Sequence, residues 1–104
     1  MKQARIAIRR ALRKRKMVRE VSAGSAYEYY PLGRHIVIAP GVCGGRPTFK
    51  RTRIEVRTIL DWLREGQSVE DVLRGYPALT RGAVEESIDL AAQALEEHFS
   101  LKAA

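Results

Sequence analysis

A chain of 104 residues has room for one small domain, and a domain of that size buries only a modest core. No run of about 18 apolar residues could cross a membrane, the basic N-terminus lacks the apolar stretch of a secretion signal, and a single cysteine closes no internal disulfide. A reducing cytoplasm is the expected location. The net charge of +7 is unevenly spread: residues 1–20 carry nine cations against Glu20, while the remainder carries ten cations and eleven acids. A basic block of that kind interacts with polyanions.

The block is "MKQARIAIRRALRKRKMVREV". It is rich in helix formers and free of Gly and Pro, yet Ile6, Ile8, Leu12, Met17 and Val18 do not gather on one side of a helical wheel. It reads as an arm that orders on a partner, with Lys2, Arg5, Arg9, Arg10, Arg13 and Lys14 available for phosphates. "SAGSA" at 22–26 reads as a linker, so the expected division is an arm and linker over 1–24 and a domain over 25–104.

Two β-rich runs follow, Tyr27 to Tyr30 and His35 to Ala39, with "PLG" between them as turn chemistry. "GVCGG" turns the chain again, and "PTFKRTRIEV" reads as extended. From Val56 the apolar period becomes helical: Val56, Ile59, Leu60 and Leu63 share a stripe that ends at Gly66. Ser68 with Asp71 forms a capping-box pattern for a second helix, and Thr80 can cap a third, longer one. In the last helix Val84, Ile88, Ala91, Leu95 and Phe99 form the apolar stripe. The expected core is Ile59, Leu63, Val72, Leu73, Ile88 and Leu95.

Chemistry is sparse. A phosphate loop needs glycines leading straight into a helix with Lys-Ser/Thr at its start, whereas Pro47 and a strand-like segment follow Gly44 and Gly45. Cys43 has no neighbouring base in sequence, and one cysteine with His35 and His98 falls short of a structural metal site. No enzyme, cofactor, metal or small-molecule substrate is expected. What remains is the basic segment Arg46, Lys50, Arg51, Arg53 and Arg57, suited to phosphate contacts; for Arg46 and Arg53 the alternative is that they bond acids or carbonyls and hold the loop. Gly44, Gly45 and Pro47 are a structural turn on either reading.

"CGGRPTFKRTRIEV" followed by "ILDWLREGQSVEDVLRGYPALT" resembles the bacterial family called domain of unknown function 433, related to VapB-type antitoxins. Gly44-Gly45-Arg46-Pro47, then Thr52, Arg53, Ile54 and Val56, then Ser68, Glu70 and Asp71, and finally Tyr76, Pro77, Leu79 and Thr80 carry the resemblance, over about residues 35–98. Arg51 stands where the family pattern has glycine, and Glu55 where it has proline. The resemblance implies an α+β but mostly α fold: a short N-terminal β-hairpin and extended loop packed on a three-helix, homeodomain-like helix-turn-helix bundle. It also implies a cognate PIN-like nuclease toxin as partner and operator DNA as ligand, bound by a dimer.

The residues qualify that picture. The helix that would enter the major groove begins at Thr80 and carries Glu85, Glu86 and Asp89 with only Arg81 as an early cation, so the arm and Arg46–Arg57 are the better DNA surface. Self-association is expected through the aromatic and apolar surface of Tyr27, Tyr29, Tyr30, Trp62 and Leu90. Two functions stand: a DNA-binding antitoxin that regulates its own transcription, or a protein-interaction module without specific DNA binding.

Overall fold

The computed structural model describes residues 15–101. Four strands, β1 (Val18–Ser22), β2 (Ser25–Pro31), β3 (Ile36–Ile38) and β4 (Thr48–Phe49), precede three helices, α1 (Val56–Arg64), α2 (Val69–Gly75) and α3 (Arg81–Phe99). The strands form one antiparallel sheet in the order β1-β2-β3-β4. Ser22 opposite Ser25 leaves a two-residue turn, and Ala23 and Gly24 both take positive φ, 48° and 81°, which matches the twist of a tight hairpin.

β3 is buried on both faces. Ile36 packs with Phe49, Ile59, Val72, Leu79, Ala83 and Val84 between sheet and helices, and Val37 packs with Tyr29 and Ala39 on the opposite side. That is why Ile36-Val37-Ile38 is continuously apolar rather than alternating. The second and third helices start where their caps dictate. Ser68 Oγ accepts from Asp71 N at 3.1 Å while Asp71 Oδ2 accepts from Ser68 N at 2.9 Å, and Thr80 Oγ1 accepts from Ala83 N at 3.1 Å.

The α+β class holds, but the mostly α architecture with a lone hairpin on a helix bundle does not. A four-stranded sheet comes first and supplies one wall of the core. β1 lies within residues read as arm and linker, because Val18 and Glu20 face inward only once β2 pairs alongside, a non-local effect. "PTFKRTRIEV" is a tight β-turn structure rather than an extended segment: Phe49 N donates to Ile54 O at 3.0 Å and Val56 N to Pro47 O at 3.0 Å.

The expected core is corrected at its C-terminal end. Ile59 and Val72 are fully buried and Leu63 and Leu73 pack against the core, but Ile88 and Leu95 are 42% and 61% exposed. At 19 residues α3 runs about 28 Å, and its buried residues all lie in its first two turns. It turns Ala83, Val84 and Ser87 inward and leaves Leu95 and Phe99 in solvent.

Three measurements check this arrangement. Ile59→Ala should cost about 2–5 kcal/mol in chemical denaturation, and Leu95→Ala under about 0.5 kcal/mol in the monomer. Thr48 is fully buried, and its Oγ1 meets no hydrogen-bond partner among the described residues. Thr48→Val should therefore raise stability by about 1 kcal/mol; a loss of that size would mean the hydroxyl is satisfied. The Asp71 carboxyl is held below its usual range, first by the Ser68 backbone N–H and then by the Ser68 side chain. A depressed carboxylate stabilises the fold above its unfolded pKa and stops doing so as pH falls through the folded value. Wild type and Asp71→Asn should thus differ in urea midpoint at neutral pH and converge well below about pH 4.

Candidate nucleic-acid interface

The basic tip is built by the turn after β4. Thr52 fixes it: its hydroxyl donates to Phe49 O at 2.8 Å and accepts from Ile54 N at 3.0 Å, and Thr52 N donates to Phe49 O at 3.0 Å. Lys50 N donates to His35 O at 2.8 Å, which ties the tip to the end of the β2–β3 loop. Lys50, Arg51 and Arg53 are thereby displayed from one short turn. Arg51 sits at φ 63°, a left-handed conformation that costs a non-glycine residue about 1–2 kcal/mol.

Glu20 of β1 joins the tip to the strand that leads from the arm. Its Oε1 accepts from Tyr29 Oη at 2.5 Å and lies 3.2 Å from Lys50 Nζ, and its Oε2 pairs with Arg51 Nη2. Lys50 Nζ lies 4.9 Å from the centre of the Tyr29 ring, and the Arg51 guanidinium 5.0 Å from that of Tyr27. Tyr27 Oη accepts from Arg51 N at 2.9 Å, and the two tyrosine rings pack at 5.0 Å.

The remaining cations differ in their engagement. Arg46 makes a forked contact with Glu55, Nε to Oε1 at 2.7 Å and Nη2 to Oε2 at 3.3 Å. Hydrogen bonding from Arg46 holds the Glu55 carboxyl below its usual range, and the bond to Glu55 raises Arg46. Arg46 therefore braces the loop against the start of α1, as one alternative for it required. Arg57 reaches Asp61 only at 3.9 Å with its side chain 84% exposed. Arg53 is exposed and makes no ion pair among the described residues; its carbonyl accepts from Cys43 Sγ at 3.4 Å. Gly44 and Gly45 take φ 64° and 79°, conformations that explain both glycines without a ligand. Pro47 adds the carbonyl that anchors Val56.

Lys2, Arg5, Arg9, Arg10, Arg13 and Lys14 lie outside the described residues. Arg15 is described, and its Nη1 donates to Pro31 O at 3.0 Å.

The aromatic and apolar set expected at an interface is largely occupied inside the chain. Tyr29 is buried, Tyr30 is half-buried in β2, and Trp62 packs edge-on against Tyr76 at 5.2 Å. Leu90 packs against the core. Periodicity placed Leu90 off the stripe because α3 is rotated so that Ser87, Leu90 and Ala91, not Leu95, continue the inward face. The apolar surface left open on α3 is the outer stripe of Ile88, Leu95 and Phe99, with Leu101 beyond; Met17 and Val21 are exposed at β1.

A groove of about 630 Å³ lies between α1 and α3, lined by Leu32, Val56, Leu60, Leu90 and Ala94 with Arg57, Asp61 and Glu97 among its charged residues. Among the described residues no group of three or more His, Cys, Asp or Glu side chains gathers to hold a metal ion. Glu20 is the site residue that sequence reasoning missed. As the lone acid among nine cations in residues 1–20, it was the available signal.

The family model "Protein of unknown function (DUF433)" matches residues 36–91, more than half of the chain. A crystal structure of a DUF433 member protein from Anabaena variabilis ATCC 29413 is similar at 33% sequence identity and a TM-score of 0.57, covering 64% of this chain. The shared part spans 65% of that relative's length, just under two thirds. No curated protein matches the chain. From Ile36 through Ala91, which takes in the two-faced strand, the glycine turn, the basic tip and most of the helices, the chain belongs to the DUF433 family.

Proposed function

We propose that the chain is a DNA-binding antitoxin that regulates its own transcription, using the N-terminal arm and the Lys50–Arg53 tip as one phosphate-contacting surface. The observation that carries this reading is the Glu20 junction. It brings β1, and with it the chain leaving the arm, against a basic tip 30 residues further on. On this reading the tip and the arm serve as one surface that follows a phosphate backbone. α3 fits the reading as a structural element and not as a groove reader. Its early cation Arg81 pairs with Glu70, and Glu86 accepts from Arg34 N at 3.0 Å and His35 N at 2.6 Å.

The protein partner in this reading is a PIN-like nuclease, and the outer face of α3 is the surface offered to it. Exposed Ile88, Leu95 and Phe99 run beside Glu85, Asp89 and Glu96, a combination that suits an apolar patch ringed by cations on a nuclease. Self-association as a homodimer belongs to the same proposal and draws on the same helix, since the tyrosines, Trp62 and Leu90 are engaged internally. That open stripe is also what favours the second reading, a protein-interaction module that never contacts DNA specifically.

A mobility-shift titration over a salt series separates the two. Binding to duplex DNA should weaken with a log–log slope of about −0.9 per phosphate neutralised. Removing residues 2–14, which leaves β1 whole, should flatten that slope by several units without changing the melting temperature. Undiminished affinity and slope in the shortened chain would overturn the arm's part, and absence of duplex binding at low salt would leave the interaction module.

A further inference from the structure

We propose that Tyr29 Oη, Lys50 and Arg51 form a phosphate-binding cradle that the chain keeps filled with its own Glu20 carboxylate, so that DNA binds there by displacing Glu20. Its ligand class, a backbone phosphate, rests on the DNA-binding reading above; the shape of the cradle does not. Three donors of different kinds converge on one anion: a phenol at 2.5 Å, an ammonium at 3.2 Å and a guanidinium. Hydroxyl, Lys and Arg donors are the set used to hold phosphate oxygens, and a carboxylate supplies two of the acceptors that a phosphate would supply. The cradle is also stiffened. Tyr29 is buried in the sheet, Thr52 fixes the turn, and Tyr27 Oη holds the Arg51 backbone.

Its openness is graded in a way that allows exchange. The Lys50 side chain is 34% exposed, Arg51 54% and Glu20 32%, so water and an incoming anion reach all three. A partly exposed ion pair is a shallow well. A duplex that also engages neighbouring cations can replace one carboxylate with a phosphate at the same donors. Arg51 points to the same purpose, since a left-handed backbone is strained for arginine and not for glycine. The strain holds a guanidinium beside Lys50 that a glycine could not provide.

Glu20→Gln, in the full chain, keeps an acceptor for Tyr29 Oη and removes the competing charge. Its duplex affinity should rise roughly fivefold at a given salt, since no partly exposed ion pair has to be broken, while the salt slope stays near the wild-type value because the same phosphates are neutralised in both complexes. Adding Lys50→Ala with Arg51→Gly should abolish that gain. An unchanged affinity in a folded Glu20→Gln chain overturns the proposal. Wild type supplies an independent reading should the variant not fold: duplex saturation should shift the Glu20 side-chain carboxyl carbon resonance, and an unmoved resonance in the complex overturns it equally. Inorganic phosphate separates this failure from failure of the DNA reading. If it perturbs the Lys50 and Arg51 amides of Glu20→Gln while duplex does not bind, the cradle stands and the DNA reading falls. If duplex binds and Glu20, Lys50 and Arg51 are unaffected, the cradle falls and the DNA reading stands.

Discussion

A three-residue strand buried on both faces sets the terms for everything around it. β3 must place Ile36 against the helices and Val37 against Tyr29 and Ala39, and a strand so short cannot do this alone. It needs β2 and β4 as neighbours and α3 as a lid, and the polar groups at its entry show how these are joined. Glu86 of α3 takes both N–H groups of Arg34 and His35, and His35 O takes Lys50 N from the basic tip. Gly33 leaves room for this contact: a Cβ would meet Glu86 Oε1 at 2.7 Å and displace the carboxylate. One corner of backbone therefore fixes sheet, helix and tip relative to each other, and each of its buried donors is satisfied within the chain.

From that corner follows the separation of charge. The tip points Lys50 and Arg51 toward β1, where Glu20 and the tyrosine rings receive them, while Glu85, Asp89 and Glu96 stay along α3. Three other arginines are braced by acids: Arg46 by Glu55, Arg81 by Glu70, Arg74 by Asp71. Arg53 and Arg57 stay open beyond them. Exposed pairs of this kind contribute little to stability, so their main consequence is to settle which cations remain available for another molecule.

How much of this was legible depended on the range of the interactions involved. Helices α1, α2 and α3 were readable because caps and apolar periods are local: Ser68 with Asp71 and Thr80 with Ala83 are three residues apart. The β2–β3 hairpin was readable from its turn. β1 was not, since Val18 and Glu20 face inward only by virtue of Tyr29 and Tyr27 across the sheet, and an alternating strand within a cationic block resembles a solvated arm. Of the basic segment, the residue types were legible and their fates were not. Nothing near Arg46 distinguishes it from Arg53, yet the first meets Glu55 nine residues on and the second stays open. The stripe of α3 misled for a geometric reason: periodicity identifies an apolar face but not which part of a long helix has a body beneath it.

The overhanging end of α3 and the strained Arg51 are two departures of the same kind. An apolar stripe held in water and a left-handed arginine both leave the isolated chain less stable than an obvious alternative, polar residues in one case and glycine in the other. Leu95 and Phe99 meet solvent, and the contacts that Arg51 makes with Glu20 and Tyr27 leave its side chain half exposed. Where local preference is broken without internal return, the return is expected from outside the chain. The two places lie at different surfaces and differ in chemistry, apolar and acidic against cationic. On the reading proposed above, nucleic acid meets the cationic surface and another protein the apolar and acidic one.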